Sequence, residues 1–260
     1  MSLIPNTTKN KLVDGKIAFC FGLRVGRTVN AGMIAGTCNF DWLFIDMEHG
    51  TFDVDLTCQI ASTCLNTGVT PIVRIPGHQY FHIARVLDGG AQGIIAPHVD
   101  NVDQAKAIVC AAKYPPIGKR SMSNNLPQFG MKQMPGGDLA QQLNQNTLVI
   151  VMLETPEAID NAEAIAAVEG VDVLMIGTND LCAEMGIPGQ FDDERTVNAY
   201  TKMIEACQKT GKYAGMGGIY EHTLMEKYIK MGVRFLLGGA DLGFIMSEAT
   251  MRSKFLRGLI

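Results

Sequence analysis

No run of apolar residues approaches the ~20 that a membrane-spanning helix needs, so nothing in the chain reads as a bilayer segment. The opening residues, MSLIPNTTKNKLVDG, lack the apolar centre of a signal peptide. Cysteine is sparse and unpatterned. There are seven, an odd number, with no CxxC pair. That spacing excludes a disulfide framework and a cysteine-built zinc site, and it fits small core residues in a reducing, cytoplasmic compartment. Charge is scarce as well: 18% of residues, a net of −4, and no clustering of lysine and arginine. Nucleic-acid and membrane-surface binding are therefore not expected. Three chemical signatures are missing too. The first strand-to-helix turn, Phe21–Gly22–Leu23–Arg24–Val25–Gly26, is not the GxGxxG of a dinucleotide fold, and no GxxxxGK(S/T) or GxSxG occurs.

What is present is apolar: 47% of 260 residues, enough for one large core. It comes as short aliphatic runs alternating with helical patterns, the signature of parallel strands joined by crossover helices. Eight runs are expected to be strands: Ile17–Phe21, Trp42–Asp46, Pro71–Ile75, Gly93–Pro97, Leu148–Leu153, Val173–Ile176, Tyr213–Met216 and Phe235–Leu237. Eight is the number that closes a barrel and removes both sheet edges. Between them, Asp55–Thr67 places Leu56, Ile60, Cys64 and Leu65 on one stripe and stops at Gly68. Val102–Lys113 repeats the pattern before Pro115–Pro116. The polar stretch Tyr114–Asn146 reads as a βα excursion over one barrel face. Without a composition break, the expectation is a single α/β domain over residues 1–260, a (β/α)8 TIM barrel.

Barrel chemistry sits where the C-terminal ends of the strands converge. Those ends supply Asp46–Met47–Glu48–His49–Gly50, then Arg74, Glu154, and Asp180 after Gly177–Thr178–Asn179. Hard oxygen ligands of this kind suit Mg²⁺ or Mn²⁺. Plainer roles exist for each. Glu154 can favour the N-terminus of the following helix, Asp180 can cap Leu181–Met185, and His49 can be structural. Arg74 is different, because a guanidinium in a buried strand needs an anionic partner. Imine chemistry is disfavoured, since Lys16 and Lys212 precede strands one and seven on the wrong face.

These strand ends resemble the class II pyruvate-dependent aldolases of the HpcH/HpaI type. The resemblance rests on Phe40–Gly50, Ile72–Val73–Arg74, Tyr114–Pro115–Pro116 with Gly118 and Arg120, Leu153–Glu154–Thr155, and Gly177–Leu181 with Met185–Gly186. It implies that Glu154 and Asp180 bind a divalent metal (Mg²⁺, Mn²⁺ or Co²⁺), with no organic cofactor. It implies that Arg74 contacts the keto or enolate oxygen and that His49 moves protons. Asp46 and Asp88 correspond to acids near that imidazole, and amides around Thr178–Asn179 would hold the substrate carboxylate beside Asp180. The implied partners are a keto acid and an aldehyde. The implied assembly is a homohexamer, a trimer of dimers, packed through the C-terminal segment Leu242–Ile260. Cys20, Met152 and Thr178 depart from common residues of the family, which leaves the aldehyde open. The alternatives on the same scaffold are oxaloacetate decarboxylation, CoA-thioester cleavage, or a barrel that binds a metal and keto acid without turnover.

Overall fold

The computed structural model describes residues 3–259. Its eight strands are β1 (Ala18–Leu23), β2 (Trp42–Asp46), β3 (Thr70–Arg74), β4 (Gly93–Ala96), β5 (Leu148–Leu153), β6 (Val173–Gly177), β7 (Tyr213–Gly217) and β8 (Phe235–Leu236). They pair in parallel and in chain order, and β8 closes on β1. The helices are α1 (Thr7–Val13), α2 (Ala31–Thr37), α3 (Val54–Cys64), α4 (Tyr80–Asp88), α5 (Val102–Ala112), α6 (Gly136–Asn146), α7 (Pro156–Asp160), α8 (Ala162–Ala166), α9 (Thr178–Glu184), α10 (Glu194–Thr210), α11 (His222–Met231) and α12 (Asp241–Arg257). The chain is thus a (β/α)8 barrel, with every expected strand present to within two residues at each end.

Strand side chains alternate between two cores. Outward-facing residues such as Leu43, Ile45, Val73, Val149 and Val151 pack under the helices. Inward-facing residues fill the barrel itself: Cys20, Trp42, Phe44, Ile72, Ile150, Met152, Met175 and Phe235, with Trp42 and Phe235 stacked at 4.3 Å. Leu12 of α1 joins this inner core. The barrel is therefore filled, and anything polar must sit above the filling at one end.

One feature differs from expectation. The stretch 113–147 follows α5, which has already carried the chain back to the N-terminal ends of the strands, so it is an αβ connection rather than a βα excursion. It packs around its own small core of Tyr114, Leu126, Phe129, Leu139 and Leu143. Gln128 Nε2 donates to the carbonyls of Leu87 and Ala91 at 2.7 and 3.0 Å, pinning the connection at the face opposite the strand C-termini. It also contains α6, whose GGDLAQQLNQN sequence has little intrinsic drive; burial of Leu139, Ala140 and Leu143 forms it. Helix α12 does not pack as a barrel-closing helix. Asp241 is its single buried residue, and Phe244, Ile245, Met251 and Phe255 are 40–61% exposed. Ile260 lies outside the described residues.

Candidate active site

Three candidate residues are the next inward positions above the inner core. On β2, Trp42 and Phe44 face inward, so Asp46 does too. On β3, Ile72 leads to Arg74; on β5, Ile150 and Met152 lead to Glu154. Register then sets neighbours, because Asp46 pairs directly with Arg74 across β2 and β3. Their side chains form a two-pronged ion pair, Arg74 Nε to Asp46 Oδ1 at 2.9 Å and Nη2 to Oδ2 at 2.7 Å. Arg74 Nη1 lies 2.9 Å from Glu48, and the guanidinium sits 5.3 Å from the Phe44 ring centre. Asp46 is held below the ordinary carboxylate range: its burial pushes the other way but is outweighed by the hydrogen bonds and charge of Arg74. Asp46 also accepts backbone N–H bonds from Glu48 and His49 at 3.2 Å. Its direct side-chain partner is Arg74, while the His49 charge also acts on it.

Glu154 is 1% exposed. Its Oε2 accepts the backbone N–H of His98 at 2.7 Å, and the His98 ring Nδ1 lies 3.2 Å from the same oxygen. His98 adopts φ +52°, a left-handed backbone uncommon outside glycine, which turns that N–H onto the carboxylate. Gly177 completes the cradle, since a Cβ there would stand 2.4 Å from Glu154 Oε1. Burial pushes the Glu154 pKa up to about 7; the His98 hydrogen bond and charge oppose the rise, and the charges of Asp180 and Glu48 add to it. Asp180 lies in the first turn of α9, whose N-cap is Gly177, so it is not the cap that the sequence permitted. Among the described residues no lysine or arginine forms a salt bridge with Glu154 or Asp180.

Arg74, Asp46, His49, Thr178, Asn179 and Asp180 line one cavity of about 230 Å³, together with Arg24, Tyr220, Met152, Leu237 and the 217–218 glycines. Thr178 is fully buried and donates to the Gly217 carbonyl at 2.6 Å while its hydroxyl meets Tyr200 at 2.8 Å, so it ties β6 to β7. Asp88 is not brought to this cavity. It ends α4 at the opposite face, where its carboxylate takes a hydrogen bond from Arg120 at 2.5 Å. Sequence reasoning missed His98, Arg24 and Tyr220, and it did not give Glu48 its place. Glu48 links Arg74 to His98 Nε2 at 3.3 Å and lies 3.9 Å from the His49 ring. Only His98 carried a signal, as an imidazole two residues beyond β4.

The balance of charge says what this rim accommodates. Asp46 and Asp180 line the cavity with Arg74 and Arg24, Glu48 and Glu154 stand beside it, and Arg74 is already shared by two of the four acids. A buried carboxylate beside a second, unpartnered one suits a hard divalent cation. A barrel with such a rim belongs with the enzymes that stabilise an anion forming next to a carbonyl.

The comparisons give the family. Residues 28–247 match the model described as HpcH/HpaI aldolase/citrate lyase, and the chain belongs to that family. It is 36% identical over 248 residues to the 4-hydroxy-4-methyl-2-oxoglutarate aldolase of Chaetomium globosum, covering 94% of this chain and 92% of the relative. It is 37% identical over 242 residues to an aldolase of the same description from Hapsidospora irregularis, covering 91% and 89%. The crystal structure of an HpcH/HpaI aldolase from Desulfitobacterium hafniense superposes with a TM-score of 0.90 at 26% identity, with 96% of each chain covered. The chain is an enzyme, a class II aldolase that cleaves or forms carbon–carbon bonds.

Proposed function

We propose that the substrate is a 4-hydroxy-2-keto acid, that the C3–C4 bond is cleaved to pyruvate and a carbonyl compound, and that Glu154 and Asp180 hold the divalent ion. The observation that carries this reading is Asp180, which lines the cavity with Arg74, beside Glu154, which is buried against the cavity-lining Gly177, neither carboxylate being paired with a lysine or arginine among the described residues. When bound there, Mg²⁺, Mn²⁺ or Co²⁺ supplies Lewis-acid stabilisation of charge on the keto oxygen. Arg74 supplies the rest. Two of its five N–H groups are taken by Asp46 and Nη1 is paired in charge with Glu48, which leaves donors free to meet substrate oxygen from a fixed direction. His49, half exposed beside Glu48, takes the proton of the C4 hydroxyl. As that proton leaves, the C4–O bond becomes a carbonyl, the C3–C4 electron pair moves into the keto acid, and an enolate forms against Arg74. The proton is then returned to C3, releasing pyruvate. Asn179 and the first-turn amides of α9 hold the keto-acid carboxylate.

The two relatives named for 4-hydroxy-4-methyl-2-oxoglutarate support the substrate class. We further read the barrel as one catalytic domain over residues 1–260, assembled as a homo-oligomer through α12. Seven unpaired cysteines suit a cytoplasmic location, and no helix among the described residues is long and apolar enough to cross a membrane. The test is exchange of pyruvate methyl protons in heavy water with and without added Mg²⁺, Mn²⁺ or Co²⁺. Metal-dependent exchange that Glu154→Ala and Asp180→Ala both abolish is expected. Exchange that survives either substitution, or exchange that no metal elicits, rules the reading out.

A further inference from the structure

The cavity holds one cationic group that the enolate chemistry leaves idle. Arg24 follows β1 and continues its inward series above Ala18, Cys20 and Gly22. In a barrel closed in chain order, β1 lies across from β5, with β3 and β7 a quarter turn away on either side. Glu154 and Asp180 therefore stand on one wall, Arg74 on a flank, Tyr220 beyond β7 on the other flank, and Arg24 opposite. A keto acid whose C1 and C2 oxygens face Glu154, Asp180 and Arg74 must direct C4 and its substituents toward Arg24 and Tyr220.

Arg24 is presented there with its backbone fixed and its head group free. The N–H groups of Arg24, Val25 and Gly26 all donate to the Asp241 carboxylate, at 3.0, 3.1 and 2.6 Å. The Leu242 N–H donates to it at 2.7 Å, so the acid that holds the Arg24 backbone is consumed by four backbone donors. Gly22 N–H to Gly239 O at 2.8 Å anchors the base of the same turn to the β8 side. Among the described residues the Arg24 guanidinium has no salt bridge or hydrogen bond, and neither has the Tyr220 hydroxyl, although both line the cavity. Beneath them Cys20 is fully buried, its thiol pushed up to about 12 by burial, so the floor of this half is small and uncharged.

We propose that Arg24, with the Tyr220 hydroxyl, binds a carboxylate carried on the C4 side of the substrate, so that the enzyme selects dicarboxylic 4-hydroxy-2-keto acids over those with a neutral C4 substituent. This rests on the enolate reading for which end of the substrate faces Arg24. A planar two-pronged donor and a phenol are suited to a carboxylate and gain little from an alkyl group.

Binding to the Mn²⁺-loaded protein, followed by calorimetry, tests it with two non-cleavable probes. They are 2-oxoglutarate and 2-oxopentanoate, which differ by a carboxylate in place of a methyl group. Unaltered protein should prefer 2-oxoglutarate by about tenfold or more. Arg24→Gln should erase that preference by weakening 2-oxoglutarate alone, Arg24→Lys should restore part of it, and Tyr220→Phe should reduce it. No preference in the unaltered protein, or equal weakening of both probes by Arg24→Gln, overturns the proposal. Pyruvate exchange in the unaltered protein is read separately. Its absence alongside a retained 2-oxoglutarate preference counts against the enolate chemistry and leaves the carboxylate subsite standing.

Discussion

Glu154 shows how far one side chain's chemistry departs from its residue type. In water a glutamate titrates near 4.5; here burial raises it to about 7. The folded chain therefore holds this proton across a window in which the unfolded chain has released it. The stabilisation is fully present below the unfolded pKa and is lost as pH rises through the folded one. Metal-free protein should lose thermal stability between about pH 4.5 and about pH 7, by an amount on the order of 2–3 kcal/mol. Glu154→Gln should flatten that slope, and Mn²⁺ should raise the unfolding temperature more at the upper end of the window than at the lower. An unchanged slope in Glu154→Gln would show that burial at this position is not what sets the pH response. The sequence made Glu154, Asp180, Arg74 and His49 visible because each ends a strand or lies in the turn just after one. Glu48 and His98 were obscure because their importance lies in meeting each other across β2 and β4, at 3.3 Å, and no local pattern encodes that.

Among the elements, the β1–α2 turn and the start of α12 act as a single unit, far apart in sequence. Asp241 is 5% exposed and is the shared acceptor for four backbone N–H groups. Asp241→Ala is expected to free the turn, speeding amide hydrogen exchange at residues 24–26 by about tenfold or more while the strand amides stay protected. Its cost in unfolding free energy should be about 2–4 kcal/mol, the range for losing bonds to a buried charge. Unaltered exchange at 24–26 would mean the turn is held instead by the Gly22 bond to Gly239 and by Arg27 Nη1, which donates to the Thr51 carbonyl at 2.8 Å. The eight strands were legible because each is a short aliphatic run. Helix α6 was not, because its Gln and Asn residues give no amphipathic stripe until Leu139 and Leu143 find Tyr114 and Phe129.

For the whole molecule, α12 is the element that a lone barrel leaves unexplained. Past Asp241 every described residue is exposed, including Leu242, Ile245, Met251, Phe255 and Leu256 at 43–61%. A contiguous apolar surface of this kind marks an interface. A homo-oligomer is expected, with a hexamer as the specific expectation, and deleting the residues after Gly243 should give smaller or aggregated species. Light scattering or sedimentation of both forms measures this, and a monodisperse monomer at micromolar concentration for the intact chain would refute it. That deletion leaves Asp241 and its bonds to the β1–α2 turn in place, so loss of assembly and loss of the clamp can be told apart.

The sequence by itself determined the barrel, its strand count and the carboxylates of its rim. These follow from local facts: short unbroken aliphatic runs, helix stripes at a period of 3.6, and polar residues placed where each run stops. Tertiary structure alone decided who partners whom. Strand register set Asp46 directly against Arg74. The direction of α4 carried Asp88 to the face opposite the rim, where Arg120 takes it, and the direction of α5 put residues 113–147 on that same face. Barrel closure brought Arg24 and Tyr220, from opposite ends of the chain, into one cavity with Asp180. A charge feels distance and burial, and neither is a property of position along the chain.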